Sequence, residues 1–351
     1  MATYVHDIDP IIGTILGVHL WWYGLTYVLG FMCVFVVLKA RQDALGLSQR
    51  GGYRLTLLIT AGVLIGGRLV QVIFYERLFY LTYPELVPAY WLGGMASHGL
   101  LFGGLLGILL FCRLDRRRVL PVSDVLSVAG AFILGVGRLG NFIDGQIVGG
   151  VTDVPWAVKF PDAKGWRHPV VLYDGAKNLL LIPLLLYLGR RPRAPGFITG
   201  MFLFLYAFLR IFTDLFREYS TTLLGLATGQ TLNILMSIFG LALMAWSMRR
   251  RETQAAGRTP PGAGMSVRGS LLVPRSIFIG LLLFSLTVPS DWTQDIPARY
   301  GKRHPGLEYS VLYPRIDRLR AALNCDMTAP SGVACARYQA PSTTDGEPPR
   351  N

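Results

Sequence analysis

Three arginines stand deep inside long apolar runs: Arg68, Arg138 and Arg210. A guanidinium at membrane depth costs about a few kcal/mol unless it is paired or faces water. Counted from the inner ends of their runs, near Arg54, Ser123 and Phe197, the three lie 14, 15 and 13 residues along. At about 1.5 Å per residue that is one shared level, roughly 20–22 Å from the inner boundary. Three guanidiniums at one level on separate helices make an anion site in the outer half of a bundle, and the simplest anion there is a phospholipid phosphate. His98, opening another run in "SHGLLFGG", has the chemistry to take a proton from an incoming nucleophile, while Arg138 and Arg210 would stabilise a leaving phosphate. Tyr23 and Tyr173 fall at the same boundary. Asp214, four residues past Arg210, can hold its guanidinium from the same helix face, and Arg217 lies close to that face. Asn141 and Asp144 beside Arg138 suggest a polar network, and Gly149 and Gly150 would let backbone approach a ligand. The substrate-binding set is therefore Tyr23, Arg68, Asn141, Gly149, Tyr173, Asp214 and Arg217. The plainer readings are a snorkelling Arg68, an Arg210 that only pairs Asp214, a helix-end His98, and an aromatic belt of Tyr23 with Trp21 and Trp22. The residues alone reach an outer-leaflet phospholipid transferase or hydrolase.

Seven apolar runs must position these groups, at about 20–38, 55–75, 97–112, 123–140, 173–188, 197–216 and 229–248. A spanning helix needs about 20 such residues, so the third and fifth are short. The chain is 52% hydrophobic and 16% charged, with a mean hydropathy of +0.42. That composition predicts an all-α polytopic membrane protein with seven transmembrane helices and a possible eighth. The net charge of +13 is a topology signal and not a nucleic-acid one, because the basic residues cluster between runs. One set of loops carries 15 Lys and Arg from Lys39 to Arg258, the alternate set carries 5, and the segment before the first run carries none. This places the amino terminus in the periplasm of a bacterial inner membrane. Residues 1–250 read as the catalytic domain and 251–270 as a cytoplasmic linker rich in Gly, Pro, Ala and Thr. Residues 271–289 have the layout of a signal anchor and are read as a short extra span. Residues 290–351 then form a periplasmic tail of unassigned fold. No cleaved leader is expected at Met1–His19. Cys33 and Cys112 read as inert core thiols, and a Cys325–Cys335 bridge is an option for a tail outside the cytoplasm.

"GRLGNFIDGQIVGG" resembles the signature segment of the prolipoprotein diacylglyceryl transferase family, and "WWYGLTYVLGF", "GGRLV", "SHGLLFGG", "HPVVLYD", "LRIFTDLFRE" and "TGQTLNI" resemble further family segments in the same order. The resemblance covers about residues 10–250. It implies transfer of a diacylglyceryl group from phosphatidylglycerol to the lipobox cysteine thiol of a prolipoprotein signal peptide, forming a thioether and releasing glycerol phosphate. It further implies that Arg138 and Arg210 contact the lipid headgroup, that Asn141 and Gly149 belong to the signature, and that Tyr23 and His98 belong to the active-site set. Since the nucleophile comes from the substrate, none of the four cysteines need be catalytic, and no metal or organic cofactor is implied. The chain departs from the family pattern at Leu100, Asp144, Gln146, Asp174 and Asp214, where Gly, Asn, Glu, Glu and Glu are usual. Gln146 loses a carboxylate that Asp144 restores two residues away. The rival readings are a phospholipid-binding or transport protein without chemistry, a phospholipid hydrolase using water, and a degenerate member that keeps only the fold.

Overall fold

In the computed structural model, which describes residues 4–161, 163–217, 222–223, 226–254, 270–290, 295–301 and 304–321, each of the seven apolar runs is a helix. They are α1 (Trp22–Ala40), α2 (Gln49–Val70), a short α3 (Arg77–Thr82) outside the set of seven, α4 (Ser97–Leu114), α5 (Val119–Ile143), α6 (Val170–Leu188), α7 (Phe197–Asp214) and α8 (Thr228–Gln254). Among the described residues six helices are long and apolar enough to cross a membrane; α4 counts as a shorter apolar helix. Many large apolar side chains point outward, including Leu101, Phe102 and Leu180 at 61%, 67% and 70% exposure. In water such a surface would aggregate; in a bilayer it is the lipid-facing side.

Helices that follow one another in the set of seven run antiparallel, and small residues set their spacing. On α2, Gly62 and Gly66 meet Gly103 and Gly99 of α4 so closely that a Cβ on Gly66 would stand 2.8 Å from the Gly103 Cα, and Gly107 of α4 meets the Leu58 backbone. Without a hydrophobic drive between helices in lipid, such close backbone packing holds the pair. α5 is central: it packs on α1, α4, α6 and α7, and α7 packs in turn on α8. The ends of α2, α5 and α7 and the starts of α1, α4 and α6 therefore gather at one pole.

A small head covers that pole. Strand β1 (Tyr4–Val5) pairs in parallel with β4 (Val158–Lys159), and β2 (Ile11–Ile15) forms a hairpin with β3 (Val18–Trp21). The hairpin shares a core with the carboxy-terminal extension: Trp21, Phe79, Tyr80 and Leu92 pack with Ile296, Tyr300, Tyr313 and Ile316. Helix α9 (Leu272–Ser285) docks against α1 and α2, and α10 (Ile296–Tyr300) follows it. Gly24 admits the α9 end, since a Cβ there would stand 2.5 Å from the Leu286 carbonyl. The Trp21 N–H donates to that same carbonyl at 2.9 Å. The His19 N–H donates to the Tyr313 hydroxyl at 2.9 Å, and the Trp91 indole donates to the Leu312 carbonyl at 2.8 Å. Burial, aided by the neighbouring His304, pushes the His19 imidazole below its ordinary value, so it meets the extension as a neutral ring. The segment read as an unassigned tail is thus, over residues 295–301 and 304–321, part of the head. The remainder of the tail, with Cys325 and Cys335, and most of the 251–270 linker lie outside the described residues.

Candidate functional site

Asp174 is the hub of the polar cluster under the head. It sits in the first turns of α6 and is buried at 3% exposure. Its Oδ2 accepts from Arg138 Nε of α5 at 2.6 Å and pairs also with Arg210 Nη1 of α7. Its Oδ1 is 3.0 Å from Lys177 Nζ, one helical turn along α6. Lys177 in turn donates to Asn178 Oδ1 at 2.7 Å and lies 4.4 Å from the centre of the Tyr206 ring. A second carboxylate, Asp214, pairs with Arg210 Nε at 3.3 Å and Arg217 Nη1 at 3.8 Å, and accepts from Asn233 Nδ2 of α8 at 3.1 Å. Among the described residues, four cations thus face two carboxylates.

The signature segment wraps this cluster. Arg138 Nη1 donates to Asn141 Oδ1 at 3.3 Å. Past the end of α5 the chain turns back, with the Gln146 N–H donating to the Asn141 carbonyl at 2.9 Å. His6 from the head hydrogen-bonds the Phe142 carbonyl at 2.7 Å, and Ser290 from the extension hydrogen-bonds Asp144. Ile147 then adopts a φ of 57°, a left-handed conformation that costs a β-branched residue about 1–3 kcal/mol. It lines a cavity of about 10 Å³ together with Arg138, Asp174, Arg210, Asp214 and Arg217. That is room for about one water.

Of the residues singled out in the sequence, Arg138, Asn141, Arg210, Asp214 and Arg217 are brought together here. Tyr23 lies beside them, against Gly140 of the signature, where a Cβ would meet its ring at 2.8 Å. Tyr173 stands one residue before the hub, its hydroxyl accepting from Trp156 Nε1 at 2.6 Å and lying 3.2 Å from His168 Nδ1.

Three of the residues named in the sequence stand apart from the cavity. Arg68 comes to the same pole but not to the cluster. It is buried at 3% exposure, and its fork is spent on backbone carbonyls: Nε on Val87 at 2.7 Å, Nη2 on Leu86 at 2.7 Å and Ala89 at 3.2 Å, Nη1 on Gly93 and on Gly94 at 3.3 Å. Tyr80 and Tyr90 flank it at 5.0 and 5.4 Å. It clamps the 84–94 loop, so two rather than three deep guanidiniums meet. Gly149 does not open toward a ligand. Its missing side chain is replaced by the protein's own backbone, since a Cβ would stand 2.6 Å from the His168 carbonyl and 2.9 Å from that of Phe216. His98 is exposed at the start of α4, 3.3 Å from the Tyr75 hydroxyl, and does not line the cavity.

Sequence reasoning passed over Asp174, Lys177, His168 and Asn233 as site residues. An aspartate and a lysine three apart in an apolar run was the available signal for the hub. Asp174→Asn leaves the buried Lys177 and the half-buried Arg138 and Arg210 without their shared anion. The expected result is a loss of about 3–5 kcal/mol, read as a lower unfolding temperature in detergent together with lost activity; unchanged stability would show that the hub holds nothing.

The sequence profile described as prolipoprotein diacylglyceryl transferase matches residues 10–246. The chain is similar to the phosphatidylglycerol–prolipoprotein diacylglyceryl transferases of Nitrosomonas europaea (38% identity, 72% of this chain and 95% of that one), Pseudoalteromonas atlantica (36%, 72% and 93%) and Geobacter sulfurreducens (36%, 70% and 97%). Helix α9 and the residues after it lie beyond the matched segment.

Proposed function

The chain belongs to the prolipoprotein diacylglyceryl transferase family, and from that premise we propose how its own residues carry out the transfer. It is a multi-pass membrane transferase whose donor is phosphatidylglycerol and whose acceptor is a prolipoprotein. In the finer reading the acceptor is the thiol of a lipobox cysteine, the membrane is the bacterial inner membrane, and the head faces the periplasm, as the loop charges require.

The sulfur attacks the terminal glyceryl carbon of the lipid. A carbon–sulfur bond forms, the carbon–oxygen bond to phosphate breaks, and glycerol phosphate departs with the bonding electrons while the thiol proton passes to a base. The donor phosphodiester carries one negative charge; the departing phosphomonoester carries nearly two at neutral pH. Charge therefore develops on the phosphate as the bond breaks, and a site helps only if it grips the later state more tightly. The single observation that carries this reading is the convergence of Arg138 and Arg210 on Asp174. The carboxylate holds the two forks in place before substrate arrives, and guanidiniums held so answer the charge that grows. Asn141 aims Arg138, and Arg217 adds charge at the mouth.

Two histidines have the chemistry of the base. His98 is open to an incoming peptide at the start of α4. His168 has its ring 5.0 Å from that of Phe216 and its Nδ1 3.2 Å from the Tyr173 hydroxyl, one residue from the hub.

The test is a mass measurement. Full-length protein with phosphatidylglycerol and a lipobox peptide should give a peptide heavier by one diacylglyceryl group, with glycerol phosphate released. Free diacylglycerol and unmodified peptide would instead mean hydrolysis; bound lipid with no product would mean a binding protein. Replacing His98 or His168 by Gln in the same assay assigns the base to whichever variant stops the reaction.

A further inference from the structure

At the opposite pole from the head a second cleft opens, with a volume of about 70 Å³, between the end of α1, the first turn of α2 and the extension helix α9. Lys39 comes from α1 and Arg275 from α9, two elements at opposite ends of the chain that meet here. Among the described residues, no acidic one lines the cleft. Two other cations at this pole have protein partners: Arg54 pairs Asp115 at 2.7 Å, and Arg117 donates to the Leu45 and Gly46 carbonyls at 3.0 and 2.6 Å. Among the described residues, neither the Lys39 nor the Arg275 side chain has such a partner. Gln42, Gln49 and Tyr53 add neutral donors to the walls. The start of α2, capped by Ser48, points the positive end of its dipole the same way. Apolar surface rises beside the charges, from Phe35 in the wall to Ile277 and Ile279 of α9, which are 50% and 55% exposed.

A soluble anion would use the charges and leave the apolar surface bare. We propose that this cleft binds the phosphate of an anionic phospholipid headgroup in the leaflet at the arginine-rich pole, with the acyl chains running along α9. Lys39 and Arg275 supply charge, the glutamine amides and the Tyr53 hydroxyl hold the headgroup, and the lipid fastens the extension helix to α1 and α2. The site lies across the bundle from the transfer site and does not depend on that reading.

The test uses the full-length chain in phosphatidylcholine vesicles containing phosphatidylglycerol in both leaflets, so that orientation is immaterial. Phosphatidylglycerol retained on the extracted protein is counted by native mass spectrometry, and diacylglyceryl transfer is measured in parallel. Lys39→Gln/Arg275→Gln should retain one phosphatidylglycerol fewer than wild type, with lipid affinity at this site weaker by about tenfold or more and transfer within about twofold of wild type. The charge-preserving Lys39→Arg/Arg275→Lys should restore retention. Equal retention by wild type and the glutamine variant overturns the proposal. Displacement of the lipid by inorganic phosphate alone overturns the assignment to a headgroup. Loss of retention in the glutamine variant while wild type shows no transfer would sink the transferase reading and leave this site standing.

Discussion

Arg210→Ala is expected to abolish diacylglyceryl transfer while leaving the protein folded, and Arg138→Ala to do the same. The asymmetry between activity and stability follows from the hub. Asp174 is shared by Arg138, Arg210 and Lys177, so removing one arginine still leaves its carboxylate with two cations. The buried charge stays compensated, and the unfolding temperature should fall only modestly. Catalysis has no such reserve. Each guanidinium presents a planar fork suited to phosphate, and loss of one preorganised donor to developing charge costs about 10²–10³ in kcat. A residue that both neutralises and orients the leaving phosphate belongs at or above the top of that range. Arginine-to-lysine variants should recover only part of the rate, because an ammonium keeps the charge and loses the fork. The measurement is kcat and KM for peptide lipidation at saturating phosphatidylglycerol. A raised KM with kcat intact would mean that the arginines hold only the ground-state headgroup. Full activity in both alanine variants would remove the site assignment altogether.

Arg68→Ala should show the opposite profile, a large loss of stability with chemistry little changed in the molecules that still fold. Its guanidinium satisfies five backbone carbonyls of the 86–94 segment and is flanked by two tyrosines. Alanine leaves a void there and strips several buried carbonyls of their donors at once. By analogy with broken buried charge networks the cost is about 3–5 kcal/mol. Thermal unfolding in detergent should shift down by roughly ten degrees or more. Arg68→Lys should rescue little, since three ammonium hydrogens cannot span carbonyls spread around a planar fork. If Arg68→Ala instead unfolds like wild type and fails to turn over, Arg68 contacts substrate and the clamp is incidental.

The contrast between these arginines shows how far the sequence could be read. Depth was legible, because rise per residue converts chain position into height, and Arg68, Arg138 and Arg210 do come to one pole. Height says nothing of azimuth. Which helices pair was decided by glycine faces such as Gly62–Gly66 against Gly99–Gly103, and these carry α2 toward α4 and away from the cluster. Asp214 was legible because an i, i+4 pair is local to one helix. Asp174 was harder, because its partners arrive from α5 and α7. The extension was least legible. α9 is only 14 residues long, and what holds it in place is Gly24, a missing side chain on α1 whose meaning depends on a carbonyl from the far end of the chain. Ile296, Tyr300, Tyr313 and Ile316 follow no single helical or strand period because they fill a core whose other half is the amino-terminal hairpin.

That closure ties the order of synthesis to the order of assembly. Trp21 leaves the ribosome early, yet the carbonyl its amide requires and the rings that cover its indole belong to Leu286, Tyr300 and their neighbours. Until synthesis has passed Ile316 the nascent hairpin lacks the other half of its core, and its polar groups are satisfied by water. Helix α9 is therefore also the latch that closes over α1, and a polypeptide stopped before it would carry both arginines of the transfer centre beneath an unfinished roof.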